Sequence, residues 1–213
     1  MKVAPIVNLA LLLGIGLAGG CTVFPTPEPP RVMDMAAPET ISKADQRFPE
    51  SLRVDTPYAS KPFNSTRILA KPAPWEFRSY EGVRWRDTVP VVVRDTLVST
   101  LRQSEAFASV ISETSPAEAE LTLISELSAF HVENPESTPR IVIELHVQLI
   151  HNRSRASLCS NNFRIAEPAP GPAIEQIIEA FGAAGNTLSD RVILWATACD
   201  LPSHPERDQP RQP

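Results

Sequence analysis

The sequence predicts a single α/β or α+β sandwich domain in which two main helices cover a mostly antiparallel mixed sheet. Short strand patterns come first along the chain, then a helix, three longer strands and a second helix. Hydrophobic residues make up 42% of the 213 residues and charged residues 21%, a balance typical of a globular domain. The folded part is expected at residues 51–200.

The first part of the expected domain contains short strands. Residues 51–54 form a strand candidate that ends at Pro57. Residues 66–70 and 76–80 flank a turn at 71–74, and this arrangement predicts a β-hairpin.

An amphipathic helix follows the hairpin. Apolar and small side chains recur at the 3–4 spacing of one helix face: Val89, Val92, Val93, Thr96, Leu97, Thr100 and Leu101. Asp87 and Thr88 are suitable capping residues, and Pro90 is tolerated in a first turn.

Three longer strands are predicted next, at residues 120–132, 140–151 and 155–165. The second strand alternates cleanly, with apolar residues on one face: Ile141, Ile143, Leu145, Val147 and Leu149. Because Glu144, His146 and Gln148 occupy the other face, we expect one side against the core and one more polar side. Irregular alternation at 160–162 predicts a bulge in the third strand.

A second helix is predicted after the prolines of residues 168–172. Its apolar stripe has a 4-3-4-3 spacing: Ile174, Ile178, Phe181, Gly185, Leu188, Val192 and Trp195. Such a stripe fits either a coiled coil or a helix packed on a sheet. Gly182, Gly185 and Asn186 are poor coiled-coil residues, so the pattern favours packing on the sheet.

The amino terminus has the order of a secretory signal peptide, which we predict at residues 1–20. Lys2 provides the positive start, residues 9–17 are almost wholly apolar, and small residues 18–20 precede Cys21. This order resembles the bacterial lipobox, in which the cysteine thiol receives a lipid before the signal is removed. We therefore predict lipidation at Cys21; the alternative is ordinary cleavage nearby, with Cys21 a passive thiol.

Proline-rich segments flank the expected domain. Residues 21–50 are predicted to form a tether, extended at about 3.1 Å per residue, between the lipidated cysteine and the domain. Residues 201–213 combine four prolines with mixed charges and are predicted to be disordered.

Several classes of function find no support in the sequence. The net charge of −5 gives no basic surplus for nucleic acid. Neither a Gly-x-Ser-x-Gly elbow nor a glycine-rich phosphate loop occurs, so we expect no enzyme activity and no cofactor. The spacing of His131, His146, His151 and His204 does not suit zinc, and no metal site is expected.

Two cysteines remain if Cys21 carries a lipid. A disulfide between Cys159 and Cys199 would be stable in an oxidising compartment and would close a loop of about 40 residues. In the chain-entropy model that loop is worth about 3–4 kcal/mol. The alternative is a pair of buried thiols, because sequence does not show whether the α-carbons approach each other.

A family resemblance appears in the order of short motifs along the domain. They are Leu52-Arg-Val54, Pro57, Thr66-Arg-Ile68, Glu76-Phe77, Tyr80-Glu-Gly-Val-Arg84-Trp85, the first amphipathic helix, and Phe107-Ala-Ser-Val110. Over residues 45–198 the chain resembles the ABC-type transport auxiliary lipoprotein family.

This resemblance implies an α/β sandwich similar to the amino-terminal domain of TolB. It also implies an auxiliary lipoprotein at the periplasmic face of the outer membrane, in a lipid transport system with an ABC ATPase, a permease and an MCE-domain protein. A homo-oligomer is conceivable by the same analogy. Thr22 instead of Asp after the cysteine agrees with outer-membrane sorting.

The sequence is also compatible with two other functions, and it offers one candidate contact surface. A regulator of a cell-wall enzyme could carry the same tether and domain, and a direct lipid binder is a third option. Tyr80, Arg84 and Trp85 are the candidate partner contacts. Trp85 could be a binding anchor or could pack beneath the helix that follows it.

Overall fold

The computed structural model describes residues 28–36, 41, 43–44 and 46–200. The predicted leader, the lipidation at Cys21 and the predicted tail at 201–213 lie outside the described residues.

The described chain contains nine strands and two helices. In order they are β1 (Arg31–Met33), β2 (Phe48–Val54), β3 (Leu69–Ala73), β4 (Glu76–Ser79), β5 (Val83–Trp85), α1 (Val89–Gln103), β6 (Phe107–Ser112), β7 (Leu121–Glu133), β8 (Arg140–His151), β9 (Ala156–Pro168) and α2 (Ile174–Thr197). Neither helix is long and apolar enough to cross a bilayer.

Strand β7 organises the main sheet. One of its edges pairs antiparallel with β8 along nearly the whole strand, and β8 pairs antiparallel with β9. The other edge pairs in parallel with β2 near Leu121 and with β3 near Val132. Strands β6 and β4 extend these two branches. The result is an open, seven-stranded, mostly antiparallel mixed sheet, as predicted.

Both helices pack on one face of this sheet. Helix α2 lies on β8 and β9, while α1 lies on β2 and β6 and also contacts α2. Alternation places Ile143, Leu145 and Val147 on the helix side, where all three are buried. The predicted sandwich is confirmed, with the helices on a single face.

The first helix begins where its residues predict, but without a side-chain cap. Val89 opens α1 and proline occupies the first turn. The Thr88 side chain makes no capping hydrogen bond; instead, Asp87 Oδ1 accepts a hydrogen bond from the Thr88 N–H at 2.6 Å. All of the predicted stripe is buried except Thr96, which is half-buried.

Three local features differ from the sequence prediction. The hairpin turn lies at residues 74–75, because β3 continues through Lys71 to Ala73. The bulge of β9 falls at Leu158, since Leu149 pairs with Cys159 and Ile150 pairs with Ser157. Strands β1, β5 and β6 were not predicted, and all three are short.

The folded part begins before residue 51. Strand β1 lies inside the segment predicted as a tether, where it pairs in parallel with β5, and β2 begins at Phe48. Met35 and Phe48 are buried in the core. The proline-rich composition of residues 21–50 predicted a tether, although the segment contains these two apolar side chains. They are buried because the helices and the sheet form an apolar surface on which they pack.

Candidate docking surfaces

Trp85 lies in the core. Its side chain is fully buried, and its ring meets Phe130 and Phe181 edge-on, with centroids 5.7 and 5.1 Å away. Of the two interpretations of Trp85, the structure supports packing beneath the helices. The residue is therefore not available to a partner.

The other two predicted contacts are half-buried instead of exposed. Tyr80 packs against the core, and burial raises the pKa of its hydroxyl. Arg84 Nη1 donates a hydrogen bond to the carbonyl oxygen of Trp85 at 3.0 Å. Both side chains thus belong mainly to the packing around β5.

Residues 31–36, which we call the strap, run across the two helices. Arg31 Nη2 donates to Glu175 Oε1 at 2.8 Å at the start of α2. A Cβ on Gly185 would lie 3.4 Å from the Met35 thioether, and one on Gly182 would lie 3.5 Å from the backbone of Ala36. The strap therefore packs beside both glycines, with room for one added methyl group at van der Waals distance.

An ion-pair chain fastens the strap to α1. Arg86 Nε donates to Asp34 Oδ1 at 2.8 Å, and Arg86 Nη2 donates to Asp95 Oδ2 at 2.7 Å. Partial burial acts to raise the pKa of Asp95, but hydrogen bonds from Arg86 and Arg94 outweigh it and lower the pKa. Asp95 therefore stays ionised and holds Arg86 against the strap.

The sheet face opposite the helices forms the open face, which comprises Tyr58, Ile124, Glu126, Glu144, His146, Gln148, Asn162 and Arg164. Tyr58 bridges to Glu126, which alternates with Ile124 along β7, so the three side chains share this face. Tyr58 is 67% exposed and Ile124 is also exposed. Together they form an apolar centre on a surface that the helices do not cover.

A polar network borders this apolar centre. His146 Nδ1 and Asn162 Oδ1 lie 2.8 Å apart, and Gln148 Nε2 lies 3.1 Å from His146 Nε2. Arg164 donates a hydrogen bond to Glu144. Since aromatic residues within a polar rim are typical of protein interfaces, the open face is the best candidate for docking a protein.

A second exposed surface is the aromatic hairpin, residues 71–77. Trp75, at its tip, is 86% exposed. Behind the tip, the Phe77 ring meets Phe63 and His131 edge-on, with centroids 5.5 Å away in both cases. Lys71 Nζ lies 5.4 Å from the centroid of the Phe77 ring. The aromatic packing holds the hairpin firmly while its tip stays in solvent.

His131 is a buried and uncharged member of this packing. Burial, and then the positive charge of Lys71, lower its pKa from 6.5 to about 4. Neither ring nitrogen has a hydrogen-bond partner. No group of three or more His, Cys, Asp or Glu side chains in the described part of the chain could hold a metal ion.

The two remaining cysteines meet at the opposite end of α2. The structure joins Cys159 of β9 and Cys199 in a disulfide, with α-carbons 6.1 Å apart. Register explains the meeting, because Cys159 pairs with the buried Leu149 and so points to the helix side. The bond ties the end of α2 to the start of β9.

A match to a family model identifies the family of this chain. The model for the ABC-type transport auxiliary lipoprotein component matches residues 33–193. The chain belongs to the ABC-type transport auxiliary lipoprotein family. Members of this family are lipoproteins of ABC-type transport, so the chain is a membrane-anchored component of the cell envelope.

Solved structures share the fold of this auxiliary lipoprotein. A protein of Xanthomonas campestris has a TM-score of 0.71 at 21% identity, over 78% of this chain and 94% of its own. An uncharacterised protein has a TM-score of 0.61 at 12% identity, over 79% of this chain and 99% of its own. No curated protein matches significantly.

Tyr58, Trp75 and Ile124 are exposed residues of the auxiliary lipoprotein that were not predicted as contacts from the sequence. Ile124 did carry a signal, because it occupies a polar position in the alternation of β7. Trp75 also carried one, since it sits in a turn between Pro74 and Glu76. Tyr58 carried none, because only its bridge to β7 places it on the open face.

Proposed function

We propose that this auxiliary lipoprotein serves an ABC/MCE-type lipid transport system and docks the transporter's periplasmic component at the periplasmic face of the outer membrane. The observation that carries the proposal is the family match over residues 33–193. In this proposal a lipid on Cys21 is the anchor, and the protein works by binding, without a catalytic step.

Anchoring supports docking through effective concentration. A tethered domain meets its partner within the volume that the tether allows, which raises avidity without any new contact. Nine residues lie between Cys21 and Arg31, where the strap begins. The ten residue-to-residue steps from Cys21 to Arg31 span about 31 Å when extended in a polyproline II helix, so the domain stays close to its membrane.

The open face is the proposed binding surface for the MCE-domain protein or an ABC subunit. Tyr58 and Ile124 supply exposed apolar area, and large exposed aromatics concentrate binding energy at interfaces. Oriented polar groups on β8 and β9, namely His146 and the Glu144–Arg164 pair, border them on one side. The helices leave this side accessible while the strap occupies the other.

Site-specific cross-linking in intact cells tests the proposal. A photoreactive amino acid replaces Tyr58 in the full-length lipoprotein, and the matched control replaces Leu194, which is 69% exposed on α2. We expect the MCE-domain protein or an ABC subunit to be captured at position 58 and not at position 194. Equal capture at both positions would contradict the assignment of the open face.

The identity of the captured protein tests the transport role. A cell-wall synthesis enzyme captured at position 58, with no transporter subunit, would favour the alternative function as a regulator of that enzyme.

A Cys21→Ala variant tests the anchor. We expect this variant to be lost from the outer-membrane fraction, because the acyl acceptor is gone. Recovery of the protein with its native Cys21 in the inner-membrane fraction would contradict the proposed location.

A further inference from the structure

One row of paired residues marks an end of the main sheet. Lys71 pairs with Glu133, Glu133 with Arg140, and Arg140 with Pro168. The tip of the aromatic hairpin lies just beyond Lys71, because the turn follows at residues 74–75. We call this end of the molecule the hairpin end.

The strap begins at the same end. Helix α2 starts at Ile174, six residues after Pro168, and so opens at the hairpin end. Arg31 Nη2 donates to Glu175 Oε1 in the first turn of that helix. From there the strap runs along α2, since Met35 lies against Gly185 near the middle of that helix.

The position of Arg31 fixes which side of the domain is nearest to Cys21. Only nine residues lie between them, so Arg31 is ten Cα–Cα steps, or at most about 36 Å, from the lipidated cysteine even in a fully extended chain. With the anchor in the membrane, the hairpin end is the part of the domain held closest to lipid. Trp75 projects from that end.

The chemistry of the tip suits the membrane–water interface. Tryptophan concentrates there because its large ring is apolar while its indole N–H can remain hydrated. Trp75 follows Pro72, Ala73 and Pro74, none of which carries a charge. The carboxylate of Glu76 is paired with Arg78 at 2.7 Å, so it presents less repulsion to anionic lipid.

We propose that the Trp75 side chain inserts into the headgroup layer of the membrane that holds Cys21. The aromatic hairpin is then a second contact point beside the lipid anchor. Two points of attachment restrict rotation of the domain relative to the membrane. In this orientation the open face points parallel to the membrane surface. This inference rests on the anchor in the proposed function, but not on the identity of the transport partner.

Fluorescence quenching in vesicles tests this contact. The full-length lipidated protein is reconstituted into phosphatidylethanolamine and phosphatidylglycerol vesicles, with or without phosphatidylcholine carrying brominated acyl chains. We expect the brominated lipid to quench part of the tryptophan emission. The chain has three tryptophans, and Trp85 is fully buried, so two variants assign the signal. Trp75→Phe should abolish the quenching, whereas Trp195→Phe should retain it.

Flotation of the same vesicles separates the two ideas. Protein that floats with the vesicles but shows no difference between brominated and plain lipid would overturn the hairpin contact and leave the anchor intact. Protein that does not float would overturn both. If Trp75 is shielded from an aqueous quencher only when the captured transport partner is added, the tip contacts protein, and the lipid proposal is wrong.

Discussion

Trp75 and Trp85 lie ten residues apart and have opposite environments. Trp75 stands in solvent at a hairpin tip, while Trp85 is enclosed by Phe130 and Phe181. The difference comes from the strands, since β5 pairs with β1 and turns its last side chain towards α2. Trp85 therefore contributes to the stability of the core, whereas Trp75 is available for contacts at the surface.

Replacing Trp85 with alanine should lower the free energy of unfolding by about 3–5 kcal/mol, because a large cavity would open in the aromatic core. Trp75→Ala is the matched control and should change it by less than about 0.5 kcal/mol. Urea unfolding of the two variants measures both values. Similar losses in the two variants would contradict these assignments.

His131 should make the protein sensitive to acid. Its pKa is about 4 in the folded protein and 6.5 in the reference state, so the unfolded chain takes up the proton first. The contribution of neutral His131 to stability is therefore complete above about pH 6.5 and is lost as the pH falls towards 4.

A His131→Phe variant tests this sign. Phenylalanine can still pack against Phe63 and Phe77, and the substitution removes two ring nitrogens that have no hydrogen-bond partner. Its loss of stability between pH 7 and pH 4 should be smaller than that of the unmodified protein by about 2 kcal/mol, a value discounted for partial access of water. Thermal unfolding at several pH values measures it, and parallel curves would refute the assignment.

At the scale of elements, α2 joins the strap on one side to the sheet on the other. Gly182 and Gly185 face the strap, and the disulfide fixes the far end of the helix. Each of these features can be altered without touching the open face.

The glycine contact distinguishes a small substitution from a large one. Gly185→Ala places a Cβ 3.4 Å from the end of the flexible Met35 side chain, and it should raise stability by about 1 kcal/mol through helix propensity. Gly185→Leu should displace Met35 and speed hydrogen exchange in residues 33–36. Unchanged exchange in the leucine variant would show that the strap does not depend on this contact.

Reduction of the disulfide should destabilise the fold. The Cys159–Cys199 bond closes a loop with a sequence separation of 40, for which chain entropy predicts a loss of about 4 kcal/mol. Calorimetry with and without a thiol reductant measures the change in Tm. A double Cys159→Ala, Cys199→Ala variant is the control, and its Tm should not respond to the reductant.

For the whole molecule, the limits of the folded unit decide which part of the chain is a tether. A chain that begins at residue 28 retains β1, Met35 and all of β2. One that begins at residue 51 loses the buried side chains of Met35 and Phe48 and exposes the surfaces that they cover. We expect cooperative thermal unfolding from the first chain and aggregation or a broad transition from the second. Equal Tm values for the two chains would show that the folded unit begins at residue 51, as the sequence predicts.

The periodicity of the sequence was sufficient to predict the longer helices and strands. The 3–4 spacing from Val89 predicted α1, and the alternation from Ile141 to Leu149 predicted β8 with its core side and its polar side. The reason is that each pattern repeats over several turns or residue pairs. Strand β1 has three residues and no such repeat, so its partner β5 decides that it is a strand.

The sequence alone determined the order of the two helices and the three long strands, the polar side of β8 and the family resemblance, because these depend on local periodicity and on motif order. Tertiary structure decided that Trp85 is enclosed and that Tyr58 joins Ile124 on the open face. It also decided that the strap and the aromatic hairpin share one end. These features depend on pairing between residues distant in the chain, which local residue patterns do not encode.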